Sequence, residues 1–355
     1  MKWTVKANIP VEFDITKIDN IKPYIDSNVG RNIVVVDRTV HDLYPELFKL
    51  KSKDAVLVTD CQESTKNISL AEQILSFFEQ QQVLRRAEPI LAIGGGVLLD
   101  TVGFCCSIYR RGIPYIRIPT TLLAIVDASV GAKTSINHFD RRNRLGSYYP
   151  PRTTIIDRSF IKTQTARDIA NGVAEILKLA IVLDLELFEL LESSNSLINN
   201  KFQCQVADNI IDRSITGMIT ALNQNLWEHN LQREVDFGHT FSPIVEMKNI
   251  ETMLHGEAVM LDCLFSCCIS TNRGLLDYQN LYRILKVIRQ FGLPTQHEDF
   301  YNQDLLDLGF KDVIKHRNGN QYLPLPTQIG QCRIVNDISY REIQEAVNTM
   351  RMLNE

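Results

Sequence analysis

The sequence predicts an α/β protein built from two parts: a parallel, doubly wound sheet over residues 1–160 and a mainly α-helical part over residues 161–355. The chain has 355 residues, more than one hydrophobic core usually organises, which favours two domains. In the first part, short β-rich runs alternate with helical stretches, the pattern of a parallel sheet covered by helices. In the second part, apolar residues recur at helical spacing through several long segments.

Five short runs rich in Val, Ile and Thr predict the strands of the first part. The predicted strands cover residues 32–37, 55–59, 89–93, 115–119 and 153–157. Most of them are apolar along their whole length, as expected of parallel strands that are buried on both faces. Between the second and the third strand, apolar residues at helical spacing over residues 70–82 predict a crossover helix.

Four segments of helical periodicity fill most of the second part. The predicted helices cover residues 166–191, 205–226, 257–272 and 278–291. Residues 321–326 and 332–335 favour a late hairpin. Ser339, followed three residues later by Glu342, has the form of a capping box that opens the last helix.

The composition is that of a soluble globular protein, with 45% hydrophobic and 23% charged residues. A formal net charge of −4 gives no indication of a nucleic-acid partner or of an anionic membrane surface. The eight cysteines form no CxxC pair and mostly lie in apolar runs, which predicts buried, reduced thiols in the cytoplasm. We find no apolar signal core and no run of membrane-spanning length, so no membrane association is expected.

Three consecutive glycines, Gly94 to Gly96, follow the third predicted strand and precede a predicted helix that carries Asp100. Glycines at this place let a backbone approach a pyrophosphate, and a helix N-terminus favours negative charge. The spacing is not G-x-G-x-x-G, so a tight strand-to-helix turn explains the glycines equally well. Asp37, at the end of the first predicted strand, is the kind of acid that binds ribose hydroxyls, although many strands end in Asp.

Hydroxyl and basic side chains follow the fourth predicted strand. Thr120 and Thr121 come first, then Asp127 and Lys133 on either side of a glycine turn. Further polar residues follow within eleven positions: Asn137, Arg141, Arg142, Asn143 and Arg144. Arginine provides the forked donor geometry that phosphate suits, so this segment indicates an anion pocket. A solvated basic loop is the alternative, and the adjoining turn and hydroxyls favour phosphate binding.

Two of the seven histidines, His239 and His255, each lie beside a glycine, sixteen residues apart. Neutral imidazole is the commonest protein ligand for zinc-like metals. Glu175 and Lys178 share one face of a predicted helix, either as part of a site or simply as an intrahelical ion pair. Glu175 with the two histidines gives one carboxylate and two imidazoles, a set typical of a catalytic Zn²⁺ or Co²⁺ site. Satisfied structural histidines are the alternative.

These segments, in this order, resemble the dehydroquinate synthase superfamily, also called the sugar phosphate cyclases. The resemblance extends from about residue 34 to about residue 317. It rests on Gly94–Asp100, Tyr109–Gly112, Pro119–Leu122, Val126–Thr134, Glu175–Lys178, Gly238–Phe241 and His255–Val259. It implies an N-terminal Rossmann-like NAD-binding domain, a helical domain that binds metal and substrate, and an active site in the cleft between them.

The resemblance also implies roles for individual residues. The metal ligands would be Glu175, His239 and His255. NAD would be held by Asp37, Glu63, Lys66, Gly95, Gly96, Val97, Asp100, Thr120, Thr121 and Thr163. Catalytic groups would be Lys133, Lys178, Asp127, Asp236 and His316. Substrate would contact Arg111, Arg142, Asn143, Leu222 and Pro243, with Arg111 reaching in from the neighbouring subunit of a homodimer.

Several positions depart from the dehydroquinate synthase pattern. Pro243 stands where that pattern has the second histidine of Gly-His-Thr-Phe-Gly-His, and Asp236 stands where it has asparagine. Met218 and His316 align near two family lysines. Gln232 aligns with a family arginine, which Arg233 could replace after a one-residue shift. Losing these cations argues against the C1 carboxylate of a heptulosonate substrate.

Leu222, Asp236 and His316 instead resemble the branch that makes 2-epi-5-epi-valiolone. Pro243 fits that branch too, but is shared with the desmethyl-4-deoxygadusol branch. The implied reaction converts sedoheptulose 7-phosphate by transient NAD-dependent oxidation, phosphate elimination, re-reduction and intramolecular aldol closure, with a divalent metal, Zn or Co. Desmethyl-4-deoxygadusol synthase, 3-dehydroquinate synthase, a metal-dependent polyol dehydrogenase and a non-enzymatic binding protein remain alternatives.

Overall fold

The computed structural model describes residues 11–27, 30–49, 51–223 and 225–355. Within them, the first part of the chain forms a six-stranded parallel sheet. Its strands are β1 (Asp14–Ile18), β2 (Ile33–Asp37), β3 (Ala55–Thr59), β4 (Ile90–Gly94), β5 (Tyr115–Pro119) and β8 (Thr153–Asp157). The five predicted strands are all present, each within one residue of its predicted ends. β1 was not predicted, because it is a mostly exposed edge strand that pairs only with β8.

The spatial order of the sheet is β1-β8-β5-β4-β2-β3. The chain runs from β2 outward to β3 on one side, then returns to β4 on the other side of β2. The carboxyl ends of β2 and β4 therefore flank the point at which the strand order reverses, where ligands bind in open α/β sheets. Asp37 ends β2 and Gly94 ends β4, and a Cβ placed on Gly94 would lie 3.3 Å from the Cβ of Asp37.

Helices cover both faces of this sheet: α1 (Lys22–Ser27), α2 (Arg38–Leu43), α3 (Ile68–Gln80) and α4 (Gly96–Ile108). Strand β2 shows how the two faces arise. Ile33 and Val35 pack into a core with residues of α3 and α4, whereas Val34 and Val36 pack into a second core with residues of α1 and α2. Alternate side chains of one strand point to opposite faces, so an all-apolar strand serves both cores.

A β-hairpin follows β5, over the basic segment for which the sequence favoured an anion pocket and left a solvated loop as the alternative. It consists of β6 (Lys133–His138) and β7 (Arg141–Tyr148), which pair antiparallel. Its two turn residues, Phe139 and Asp140, both have positive φ, at 52° and 53°. That conformation matches the twist of tight hairpins. The basic segment is therefore a defined two-stranded element rather than a free loop.

The second part is mainly helical. Its helices are α5 (Ala166–Leu183), α6 (Leu185–Ser193), α7 (Gln205–Leu222), α8 (Ser242–Lys248), α9 (His255–Asn272), α10 (Tyr278–Gln290), α11 (Gln303–His316) and α12 (Tyr340–Met352). A hairpin of β9 (Leu323–Gln328) and β10 (Gln331–Val335) completes it. The helix predicted over 166–191 divides at Asp184, which caps α6 by accepting a hydrogen bond from the Leu187 amide. No helix in the described chain combines the length and apolarity needed to cross a membrane.

Helix α9 lies at the centre of this part and is buried over almost its whole length. It packs against α5, α8, α10 and α12. A helix that is apolar all round is expected in such a position. It carries His255 as its first residue, while α5 carries Glu175 near its middle. The contact between α5 and α9 thus brings two of the three predicted metal ligands together.

Candidate active site

Glu175, His239 and His255 form one cluster whose ligand atoms all lie within 4.8 Å of one another. Glu175 Oε1 is 3.3 Å from His255 Nε2 and 3.8 Å from His239 Nε2. The same oxygen is buried and has no hydrogen-bond partner. A buried carboxylate oxygen is rarely left unpaired, and a cation between the three ligands would satisfy it. The donor set of one oxygen and two nitrogens fits Zn²⁺ or Co²⁺ and leaves a coordination position for substrate.

His239 is positioned by the tight turn before α8. Gly238 has φ +76°, and a Cβ there would lie 2.6 Å from Cys263 Sγ. The Asp262 carboxylate, fully buried on α9, accepts hydrogen bonds from the amides of three consecutive residues: Thr240 at 2.8 Å, Phe241 at 2.6 Å and Ser242 at 2.8 Å. His239 Nδ1 lies 3.1 Å from the Phe237 carbonyl oxygen, a partner for an Nδ1 proton. This leaves Nε2 free to face the metal position.

His255 is oriented by Glu246, a residue that the sequence did not single out. Glu246 Oε2 lies 3.1 Å from His255 Nδ1 and also contacts the Arg142 guanidinium, whose Nη1 lies 2.8 Å from the same ring nitrogen. Glu246 is 1% exposed, so this carboxylate is committed to the two contacts. The signal in the sequence is faint: one acid in the short helix α8, seven residues after His239. Only the folded chain shows that it points to the second histidine.

Neighbouring charges tune the protonation of the cluster. Burial alone would raise the pKa of Glu175, but the charge of Lys178, 2.5 Å from Glu175 Oε2, brings it well below its usual range. Burial and the charge of Lys178 lower the pKa of His239 to about 3. Burial also acts to lower the pKa of His255, yet the Glu246 and Glu175 carboxylates together outweigh it and raise the value to about 9. Burial, reinforced by the charge of Glu175, raises the pKa of Asp127.

A chain of polar contacts joins this cluster to the glycine turn of the sheet domain. Lys66 Nζ donates to Asp100 Oδ2 and to Asn143 Oδ1, both at 2.7 Å. Arg142 Nε lies 3.4 Å from Glu63 Oε1, and the same guanidinium contacts Glu246 beside His255. Residues predicted to bind NAD and residues predicted to bind substrate are therefore in direct contact. Arg142 is buried beside the carboxylates of Glu63 and Glu246, and its contact with substrate stays a prediction.

The remaining residues predicted to bind NAD lie along the carboxyl edge of the sheet. They are Asp37 at the end of β2, Gly95, Gly96 and Val97 at the start of α4, Thr120 and Thr121 after β5, and Thr163 after β8. A Cβ on Gly95 would lie 3.3 Å from Thr121 Cγ2, so the two segments adjoin. A surface cavity beside them is lined by Arg38, Thr59 and Asp60, among others.

A second polar cluster contains two of the predicted catalytic residues. Lys133 Nζ and the Arg233 guanidinium both contact the carboxylate of Glu228, and Arg233 also donates to Asp236 Oδ1 at 2.6 Å. Burial by itself would raise the pKa of Asp236, but Arg233 and then Arg317 lower it. Arg233, which could replace the family arginine after a one-residue shift, therefore lies in this cluster and is already paired with two carboxylates.

The other predicted substrate residues lie around this second cluster and beyond it. Leu222 ends α7 and lies beside the turn at Gly131. His316 ends α11, and burial and then the charge of Lys133 lower its pKa. Pro243 is the second residue of α8, where its missing N–H is harmless. Arg111 lies in a short turn after α4 with φ 62°, away from the contacts described above.

Comparison with known proteins identifies the family. The family model described as 3-dehydroquinate synthase N-terminal matches residues 56–171, and the one described as 3-dehydroquinate synthase C-terminal matches residues 172–314. The chain belongs to the 3-dehydroquinate synthase family. The resemblance read from the sequence motifs is confirmed, and so is the fold class of a parallel α/β sheet followed by a mainly helical part.

Two relatives and one solved structure show which members of the family this chain is similar to. A 2-epi-5-epi-valiolone synthase of Streptomyces hygroscopicus subsp. jinggangensis is 41% identical, over 98% of this chain and 89% of its own. A structure of that organism's enzyme, described with NAD⁺ and Zn²⁺ bound, covers 99% of this chain and 100% of its own at 41% identity, with a TM-score of 0.96. A demethyl-4-deoxygadusol synthase of Trichormus variabilis is 33% identical, over 95% of this chain and 87% of its own.

Proposed function

We propose that this protein is a phosphate-eliminating cyclase that converts sedoheptulose 7-phosphate to 2-epi-5-epi-valiolone and inorganic phosphate. One observation carries the proposal: similarity along nearly the whole chain to a 2-epi-5-epi-valiolone synthase, at 41% identity and a TM-score of 0.96. The similarity to a demethyl-4-deoxygadusol synthase is lower, at 33%. Asp236 and His316, two of the three residues by which the sequence separates these branches, both lie near Lys133.

The cofactors of the proposed enzyme are NAD and one divalent metal, zinc or cobalt. When bound, NAD accepts and later returns a hydride, and the metal polarises substrate oxygens as a Lewis acid. Glu175, His239 and His255 would hold the metal, and the unpaired Glu175 oxygen supports this assignment. The residues along the carboxyl edge of the sheet would hold NAD, with Asp37 placed for the ribose hydroxyls.

The protein's own groups would then orient the substrate and move protons. Lys178 lies beside Glu175 and is placed to hold a substrate hydroxyl next to the metal position. Asp127, whose pKa is raised by burial and by Glu175, is suited to hold a proton at its carboxyl oxygen. Lys133 and Asp236 would bind further hydroxyls, and His316 would relay a proton at an imidazole nitrogen. Asn143, held between Lys66 and Ser135, would contact the phosphate end.

Assembly and location are part of the same proposal. We expect a homodimer in which Arg111, an exposed residue in the short turn after α4, contributes to the neighbouring site. We expect the enzyme to act in the cytoplasm, with no nucleic-acid or membrane partner. The eight cysteines, which are free thiols in the structure, fit a reducing compartment.

One assay tests the proposed function. Purified protein with NAD⁺ and Zn²⁺ or Co²⁺ receives either sedoheptulose 7-phosphate or a heptulosonate 7-phosphate, which carries a carboxylate at C1. We expect phosphate release from the first sugar only, together with a product whose mass equals the substrate minus phosphoric acid. A product lighter by a further water would assign the protein to the demethyl-4-deoxygadusol branch. Turnover of the heptulosonate alone would overturn the proposal.

A further inference from the structure

Glu228 lies between two cations of the proposed substrate site. Its carboxylate contacts Lys133 Nζ and the Arg233 guanidinium, and its second oxygen accepts a hydrogen bond from the Tyr148 hydroxyl at 3.2 Å. The Glu228 side chain is only 8% exposed, so it is a fixed part of the wall rather than a surface charge. Resting on the function proposed above, we propose that Glu228 is a specificity-determining residue that excludes a substrate carboxylate from the cations Lys133 and Arg233.

The loop that carries Glu228 is built to hold it in place. Asn225 Nδ2 donates to the Asn230 carbonyl at 2.6 Å, and the Asn230 amide donates back to Asn225 Oδ1 at 3.0 Å. Trp227 packs edge-on against Tyr148 of β7, with ring centroids 5.8 Å apart. Glu228 itself has φ 53°, a left-handed conformation that costs a residue with a side chain about 1 kcal/mol or more. The contacts on either side of Glu228 hold it in this strained conformation, which indicates that the placement of its side chain matters.

The charges around Glu228 balance. Lys133 and Arg233 carry two positive charges, and Glu228 and Asp236 carry two negative charges against them. Arg317 lies 4.0 Å from the other Asp236 oxygen and also interacts electrostatically with the buried Asp262, so its positive charge has an acidic partner of its own. This side of the site therefore has no spare positive charge for an anionic substrate group. It offers carboxylate and hydroxyl oxygens instead, which suit the hydroxyl groups of a neutral polyol.

The consequence is a choice between two chemically similar sugars. Sedoheptulose 7-phosphate ends in a neutral hydroxymethyl group at C1, and a heptulosonate 7-phosphate ends in a carboxylate. A carboxylate near Lys133 and Arg233 would also lie near the largely buried Glu228 carboxylate, and like charges placed side by side in a binding site repel. The uncharged C1 group meets no such repulsion. Two effects thus disfavour a substrate carboxylate: the family lysines are absent at the positions of Met218 and His316, and Glu228 repels the negative charge.

The test is equilibrium binding of each sugar phosphate to Glu228→Gln, in the presence of Zn²⁺ and NADH. NADH fills the cofactor site without oxidising the bound sugar, so binding is measured without turnover. Glutamine keeps the size and a hydrogen-bonding oxygen but removes the charge. We expect the Kd of the heptulosonate 7-phosphate to fall about tenfold, while the Kd of sedoheptulose 7-phosphate changes less than about twofold. Glu234→Gln, an exposed acid in the same segment, is the matched control and should leave both values unchanged.

The double variant Glu228→Gln/Arg233→Gln distinguishes an effect of the Glu228 charge from a structural role of its side chain. If Glu228 acts by neutralising Arg233, removing both charges should return the heptulosonate Kd towards that of the unmodified protein. Equal tightening of both sugars would mean that Glu228 competes with the shared phosphate, and no tightening would mean that it is structural; either result overturns the inference. Failure of the proposed function is a separate result, since the unmodified protein would then release no phosphate from sedoheptulose 7-phosphate with NAD⁺.

Discussion

Glu246 Oε2 lies 3.1 Å from His255 Nδ1, and the same carboxylate contacts the Arg142 guanidinium. Glu246 therefore links a candidate metal ligand to a hairpin of the sheet domain. A carboxylate that contacts one nitrogen of a ligating histidine fixes the ring and makes the other nitrogen a stronger metal ligand. Through Arg142, the same contacts continue to Glu63, in the segment that also carries Lys66, which donates to Asp100 on α4. The metal position and the proposed NAD site are thus coupled through ionic contacts.

We expect Glu246→Gln to weaken zinc binding by about 10- to 100-fold. The amide cannot stabilise the His255 ring as the carboxylate does, and it leaves the buried Arg142 with one counter-charge fewer. Zinc affinity, measured by competition with a chelating dye, checks this. Glu251→Gln, an exposed acid five residues further along the chain, is the control and should bind zinc as the unmodified protein does. Unchanged affinity in Glu246→Gln would contradict the orienting role.

Glu175→Gln should abolish stoichiometric zinc binding and phosphate release together. The amide has nearly the same shape as the carboxylate but offers a neutral oxygen, and it also removes the ion pair with Lys178. Metal content by elemental analysis and phosphate release from the same preparation are the two measurements. Glu189→Gln, an exposed acid on α6, is the matched control. A Glu175→Gln protein that keeps both zinc and full turnover would refute the metal triad.

Most of the fold could be predicted because buried parallel strands and amphipathic helices leave strong periodic patterns. The hairpin of β6 and β7 could not, since β7 reads Arg-Arg-Asn-Arg-Leu-Gly-Ser-Tyr and is largely polar. Helix α11 was also missed, although Asn302 caps it by accepting from the Leu305 amide. The boundary placed at residue 160 stays a prediction.

The three candidate metal ligands could be found from the sequence because each lies in a short, unusual motif. The supporting residues could not. Glu246, Asp262 and Glu228 are ordinary acids in ordinary segments, and their importance arises only from what the fold places beside them. Asp262 is the clearest case, since it holds the turn after His239 from a helix more than twenty residues further along the chain. Contacts of that kind have no local signature.

The pKa of Glu342 provides a test of the packing of α12. A hydrogen bond from Arg273 Nε, at 2.5 Å, and the cap at Ser339 lower this pKa to about 2. Because the folded value lies below the unfolded one, the carboxylate stabilises the fold above about pH 4.5, and this stabilisation disappears as the pH falls towards 2. We expect Glu342→Gln to lower the free energy of unfolding by about 1–2 kcal/mol at pH 7.

That difference between Glu342→Gln and the unmodified protein should shrink steadily below pH 4.5 in urea unfolding experiments. Glu345 lies three residues after Glu342 on the same helix and forms an exposed ion pair with Arg341. Glu345→Gln, the control, should lower the free energy of unfolding by less than about 0.5 kcal/mol at any pH. A Glu342→Gln difference that did not depend on pH would contradict the assigned ion pair.

Gly238 and Gly274 offer a direct measure of how tightly the turn before α8 is packed. Both have positive φ, at +76° and +69°, so alanine at either place pays the same backbone strain of about 1–2 kcal/mol. A Cβ on Gly274 meets nothing within 4 Å, whereas one on Gly238 would lie 2.6 Å from Cys263 Sγ and 3.0 Å from the Val259 carbonyl oxygen. Overpacking of that kind adds about 1–3 kcal/mol. We therefore expect Gly238→Ala to lower the free energy of unfolding clearly more than Gly274→Ala does, in metal-free protein.

The two variants should also separate in zinc binding. Relief of the clash would move the turn that carries His239, so Gly238→Ala should lose zinc affinity, whereas Gly274→Ala lies at the far end of α9 and should keep it. Urea unfolding and chelator competition on the two proteins provide the comparison. Equal destabilisation with equal zinc affinity would show that Cys263 and Val259 can move aside without displacing His239. Gly238 would then be required only for its backbone conformation.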